Sequence, residues 1–76
     1  MFDRITFDPA ILGGKPIVHG TRISVEMILE WVASGATRDE IVSRYPHLTV
    51  ADVEQALGYA SAAVTNEVLL TTQVAR

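Results

Sequence analysis

The chain has 76 residues, no cysteine and a formal net charge of −3. One domain of this length hides about 60% of its unfolded surface, and without cysteine neither a disulfide nor a thiolate-bound metal can support it, so self-association is expected. The acidic balance argues against indiscriminate nucleic-acid binding, and no apolar run suits a membrane span or signal segment, so no membrane partner and a cytoplasmic location are expected.

Residues 1–23 read as a strand-and-turn segment. Ile5-Thr6-Phe7 is short and β-prone, Asp8-Pro9 opens a turn, Gly13-Gly14 reverses the chain, and Pro16-Ile17-Val18 suits a second short strand. Three helices follow within residues 24–64. Ser24 caps the first, Ile23 and Ile28 form a hydrophobic staple across it, and Gly35 stops it. The second starts at Thr37, where Glu40 completes a capping box and Ala36 with Ile41 occupies the staple positions, and it ends before Pro46. Thr49 caps the third, with Asp52 at the third helical position, Leu48 and Val53 as the staple, and an apolar stripe of Val53, Ala56, Leu57, Ala60 and Val64. Residues 65–76 form a tail in which Val68-Leu69-Leu70 has strand character, with helix continuation as the alternative. A mainly α domain follows, on a tri-helical helix-turn-helix plan with a short N-terminal β segment.

Catalytic chemistry is thin. Gly13-Gly14-Lys15 lacks the spacing of a phosphate loop, and Pro16 removes a donor from it, so the glycines read as turn formers. Glu26 and Glu30 read as solvated acids, and Glu40 with Arg44 as an exposed ion pair. No hydroxyl or amine has a histidine placed to activate it, and His19 and His47 are too isolated to cage a metal. No enzyme activity, metal or cofactor is expected.

Binding chemistry is better represented. His19 and Arg22 flank Gly20-Thr21 with Lys15 close by, a basic and polar surface on irregular backbone. The alternative for Arg22 is a pairing with Glu26, four residues on. Trp31 and Tyr45 read as core or subunit interface rather than a platform for bases. The third helix, which would read the major groove, offers Thr49, Asp52, Gln55 and Tyr59 but no Lys or Arg. Gln55 suits adenine, whereas Asp52 and Glu54 repel phosphate, so a DNA surface needs two copies, or basic help from Lys15, Arg22, Arg38 and Arg44.

Asp8-Pro9, Gly13-Gly14-Lys15-Pro16, Gly20-Thr21-Arg22-Ile23-Ser24-Val25, then Gly35, Glu40-Ile41, Tyr45-Pro46, Leu48-Thr49 and Asp52-Val53 together resemble the family called domain of unknown function 433. His19 departs from the pattern, standing where the family often has a basic residue. The resemblance implies a homeodomain-like helix-turn-helix with a small β element. It also implies the antitoxin-like half of a bacterial toxin–antitoxin pair, beside a PIN-like ribonuclease. It marks Lys15, Thr21 and Arg22 as candidate functional residues, and Gly13, Gly14 and Gly20 as backbone formers. With Arg38, Thr49 and Gln55 from the charge and helix readings, these make up the candidate DNA contacts. The expected function is an antitoxin-like protein that binds a PIN-like toxin directly and binds operator DNA as a homodimer. The rival is a protein-interaction module of the same fold that never touches DNA.

Overall fold

The computed structural model of the chain describes residues 2–75, and the side chains of residues 2–65. Strands β1 (Ile5–Thr6) and β2 (Ile17–Val18) pair antiparallel, with Ile5 opposite Val18 and Thr6 opposite Ile17. Between them Leu12–Gly14 forms a single 3-10 turn. A lone bridge from Ile17 to Ser24 then ties β2 to the first of three helices, α1 (Val25–Ala33), α2 (Arg38–Arg44) and α3 (Val50–Ala75).

Each helix starts where a side chain supplies the missing acceptor for its first backbone donors. Ser24 Oγ accepts from the Met27 N–H at 3.0 Å. At Thr37 the box is reciprocal. The hydroxyl accepts from the Glu40 N–H at 3.1 Å, and the Glu40 carboxylate accepts from the Thr37 N–H at 2.8 Å. Thr49 and Asp52 repeat the arrangement with the shorter acid, at 3.1 and 2.9 Å. α1 ends in a Schellman motif, Ala36 N–H donating to the Trp31 carbonyl and Gly35 N–H to that of Val32, with Gly35 at φ +100°.

The three expected staples lie in or against the core. Ile28 and Val53 are fully buried, Ile41 and Leu48 nearly so, and Ile23 is 8% exposed, with Ala36 packed against them. Val18, Val25, Ala56 and Ala60 complete the cluster, so α3 is the mast against which β1, α1 and α2 pack, with β2 joined to it through β1. Trp31 and Tyr45 join the ends of α1 and α2 by stacking on one another, 4.4 Å between centroids and 11° from parallel.

Three expectations need correction. The strand reading of the tail gives way to helix, α3 continuing to Ala75, so the core boundary expected at residue 64 falls inside one element. No Gly or Pro follows Gly58 to stop it, and a helix satisfies its own backbone where a strand needs a partner edge. Val64, assigned to the buried stripe, is 55% exposed, because Ala60 is the last buried position among the described residues. Glu40 and Arg44 do not pair, since the capping box draws the Glu40 carboxylate back toward Thr37 and away from the following turn.

Candidate binding site

The Gly20-Thr21-Arg22 segment is a closed turn. Val18 N–H donates to the Ile23 carbonyl at 2.9 Å, and the Thr21 N–H and hydroxyl both donate to the Val18 carbonyl, at 3.0 and 2.8 Å. The same hydroxyl accepts from the Ile23 N–H at 3.0 Å. Gly20, at φ +78°, supplies the left-handed step that a side chain disfavours. Thr21 therefore spends its hydroxyl inside the loop, while Arg22 stands exposed at its rim. Arg22 and His19 share a concavity of about 470 Å³ with Phe7, Asp8 and Ile11.

Lys15 points elsewhere. It follows Gly13 and Gly14, at φ +67° and +84°, and donates to the Glu26 carboxylate at 2.8 Å. That hydrogen bond, reinforced by the Glu26 charge, raises the Lys15 ammonium above its ordinary pKa. Glu26 thus takes Lys15, not Arg22, as its partner. The two α1 acids remain exposed on the polar face, as their spacing suggested. Arg38 lines a third concavity with Val50 and Leu57 and lies 3.7 Å from the Glu54 carboxylate. Lys15, Arg22 and Arg38 therefore open onto three separate concavities, and Lys15 and Arg38 each already face a partner carboxylate. Among the described residues, Arg22 and Arg44 make no ion pair.

The head of α3 is occupied from within. Residues 2–4 cross its first three turns. Arg4 N–H donates to Gln55 Oε1 at 2.9 Å, and Gln55 Nε2 donates to Asp3 Oδ1 at 2.8 Å. Arg4 Nη1 reaches Asp52 Oδ1 at 3.2 Å, while the other Asp52 oxygen serves the Thr49 cap. One turn further on, the Phe2 ring lies against Gly58, whose hypothetical Cβ would meet it at 3.2 Å, and edge-on to Tyr59 at 5.7 Å. Phe7 meets Tyr59 at 6.3 Å. Asp52 is 7% exposed, so it is a capped and paired acid rather than a free repeller of phosphate. The Gln55 amide lowers the Asp3 carboxyl below its ordinary pKa by hydrogen bonding.

Thr49 and Gln55, read from the sequence as groove contacts, thus have their side chains engaged at home. Arg4, Asp3 and Phe2 were not singled out by the sequence, because residues some fifty positions apart leave no local pattern. Apolar side chains stand at the surface: Phe7 is 57% exposed, Leu12 45%, Leu29 38%, Val50 40% and Val64 55%. A concavity of about 550 Å³ beside Trp31 and Tyr45 adds Arg44 and Glu40 at its edge. Among the described residues no helix is long and apolar enough to cross a membrane.

Comparison with known proteins agrees with this architecture. The chain is 36% identical over 58 residues to the uncharacterized protein y4eO of Sinorhizobium fredii, a match covering 76% of this chain and 26% of that protein. It therefore spans about a quarter of the length of that relative. It is similar to the crystal structure of a DUF433 member protein from Anabaena variabilis, with a TM-score of 0.74 and 27% identity. That match covers 96% of this chain and 69% of the solved one. The model of the family described as protein of unknown function (DUF433) matches residues 5–60, and the chain belongs to that family.

Proposed function

We propose that this domain is antitoxin-like, binding a PIN-like ribonuclease by direct contact and occupying it with the projecting part of α3. The observation that carries this reading is the helix beyond Ala60. α3 continues to Ala75, and residues 61–65 are all exposed. Ala62, Ala63 and Val64 are apolar and exposed in that turn, and a partner laid along it would bury them. The kind of partner follows from the family resemblance set out above.

Operator binding by a dimer is the second arm of the proposal. It has to run through Arg22 and Arg44, with Lys15 and Arg38 exchanging Glu26 and Glu54 for phosphate, since the α3 head is closed by residues 2–4. The competing reading, a protein-interaction module without DNA, is favoured by that closure.

The test is whether the gene beside that of this chain encodes a PIN-like ribonuclease and whether the chain inhibits the purified product, followed on a fluorogenic RNA. Stoichiometric loss of cleavage is expected, weakened at least tenfold by Ala62→Arg or Thr65→Arg with helix content unchanged. Undiminished cleavage at excess chain refutes the reading. An anisotropy titration on upstream DNA at two salt concentrations decides the second arm, and absence of binding at low salt leaves the protein-only module.

A further inference from the structure

The turn that follows β2 leaves two backbone donors unused. Val18 N–H donates to the Ile23 carbonyl, His19 N–H to the Arg4 carbonyl at 2.7 Å, Thr21 N–H to the Val18 carbonyl and Ile23 N–H to the Thr21 hydroxyl. The N–H groups of Gly20 and Arg22 donate to no acceptor among the described residues, and both residues are exposed. A left-handed step inside a turn, such as that of Gly20, is a backbone form in which N–H groups gather around an anion. The turn forms one wall of the concavity of about 470 Å³ that Arg22 and His19 share with Phe7 and Asp8. Asp8 commits one carboxylate oxygen to the Ala10 N–H at 2.9 Å, whereas Arg22 meets no carboxylate among the described residues. What is left to satisfy in this concavity is therefore mainly donors. Phe7 stands on its wall, more than half exposed, with its ring in edge contact with Tyr59.

We infer that this concavity binds a nucleoside monophosphate unit, its phosphate on the Arg22 guanidinium and the Gly20 and Arg22 N–H groups, and its base on the Phe7 ring. Three features select that chemistry. A carboxylate is filled by the paired bonds of one guanidinium, whereas a phosphate monoester brings three acceptor oxygens and takes the two backbone donors as well. The volume, about 470 Å³, lies within the roughly 300–1,000 Å³ of small-molecule sites and exceeds what a bare anion fills. An exposed aromatic ring beside a cation offers a base a face to stack on. The Asp8 oxygen not held by Ala10 suits the ribose hydroxyls, donors that a bare phosphate lacks. Duplex DNA does not present this combination, because its internal phosphates are diesters and its bases are stacked on one another. The unit arrives either as a free mononucleotide or as the phosphorylated end of a single strand. The site does not depend on the antitoxin-like reading, which seats the ribonuclease on α3.

The test is a titration of the isotope-labelled full chain with adenosine monophosphate, followed by the backbone amide signals of Gly20 and Arg22. Both signals are expected to move saturably, with a Kd below about 1 mM. Inorganic phosphate, which lacks the base, and adenosine, which lacks the charge, are each expected to bind about tenfold more weakly or worse. Arg22→Gln is expected to weaken the nucleotide and inorganic phosphate alike, about tenfold, whereas Phe7→Leu is expected to weaken the nucleotide alone. Both positions are exposed, so helix content is expected to stay unchanged in either variant. An oligoadenylate with a terminal phosphate that binds about tenfold tighter than the mononucleotide supports the site with a strand end as its source, and equal affinity supports it with free nucleotide. Gly20 and Arg22 signals that stay fixed up to about 10 mM nucleotide overturn the inference. Inorganic phosphate that matches the nucleotide overturns it too, as does acetate that matches phosphate. A Phe7→Leu variant that loses nothing overturns the stacking of the base. None of these outcomes bears on inhibition of the ribonuclease, so this inference and the proposed function fail separately.

Discussion

Gln55 joins the N-terminal segment to the head of α3 with one carboxamide, accepting from the Arg4 N–H and donating to the Asp3 carboxylate. Hydrogen bonds of this kind contribute about 0.5–1.5 kcal/mol each, less where water competes. Gln55→Ala is therefore expected to cost about 1 kcal/mol in urea unfolding. A Gln55 that served instead as a base reader would leave stability unchanged and alter preference among duplexes, so the two measurements together assign the residue. Glu40 makes a comparable local commitment. The Thr37 N–H holds its carboxyl below the ordinary value of 4.5. The sign follows from linkage: a depressed carboxyl stabilises the fold above its unfolded value, and that contribution disappears as pH falls through the folded one. Asp3, lowered from 3.8 by Gln55, acts in the same direction just below. Unfolding midpoints are expected to fall on acidification from about pH 5 to about pH 3, and Glu40→Gln is expected to flatten part of that limb. An unchanged acid limb in Glu40→Gln would mean that the cap does not discriminate between the two states.

Among the elements, α1, α2 and the start of α3 were legible because the information lies within four residues of each terminus. A hydroxyl at the cap, an acid at the third helical position and an apolar pair astride them satisfy donors and bury surface locally. Phase within the helix was legible too, with one qualification. Ile28 is fully buried, whereas Leu57 is only half-buried at the edge of the core. Ile28→Ala is accordingly expected to cost about 2–5 kcal/mol and Leu57→Ala about half as much. Calorimetric or urea unfolding of both variants checks the order, and a reversal would mean that Leu57, not Ile28, is the centre of the core. The end of α3 was not legible in the same way. Its Thr- and Val-containing tail carries strand propensity in isolation, and helix wins because the segment extends an already nucleated helix with no breaker after Gly58.

For the molecule as a whole, the distribution of charge matters more than its total. Lys15, Arg22 and Arg38 look like one basic cluster along the chain, yet they open onto different concavities, two of them beside acids. Counting only Arg22 and Arg44, without ion pairs among the described residues, a dimer releases about four counterions. The log–log salt slope on duplex DNA is then expected to be no steeper than about −4. A slope near −7 would show that Lys15 and Arg38 abandon their carboxylates on binding. Arg22→Ala is expected to reduce the slope by about two per dimer on operator and scrambled DNA alike.

The sequence by itself determined the helix starts, the glycine stop at Gly35, two short strands in the N-terminal segment and the apolar faces of the helices as far as Ala60. Each of these rests on contacts or conformations within a few residues, or on a period that a helix imposes. Only the tertiary structure decided the fate of the polar residues. Arg4 could reach Asp52, Asp3 could reach Gln55, and Lys15 could take Glu26 from Arg22 only once β1 was laid along α3 and the Gly13-Gly14 turn had set the direction of Lys15. Ion pairs and carboxamide contacts between distant segments depend on where folding places two backbones, and a one-dimensional pattern holds no record of that distance.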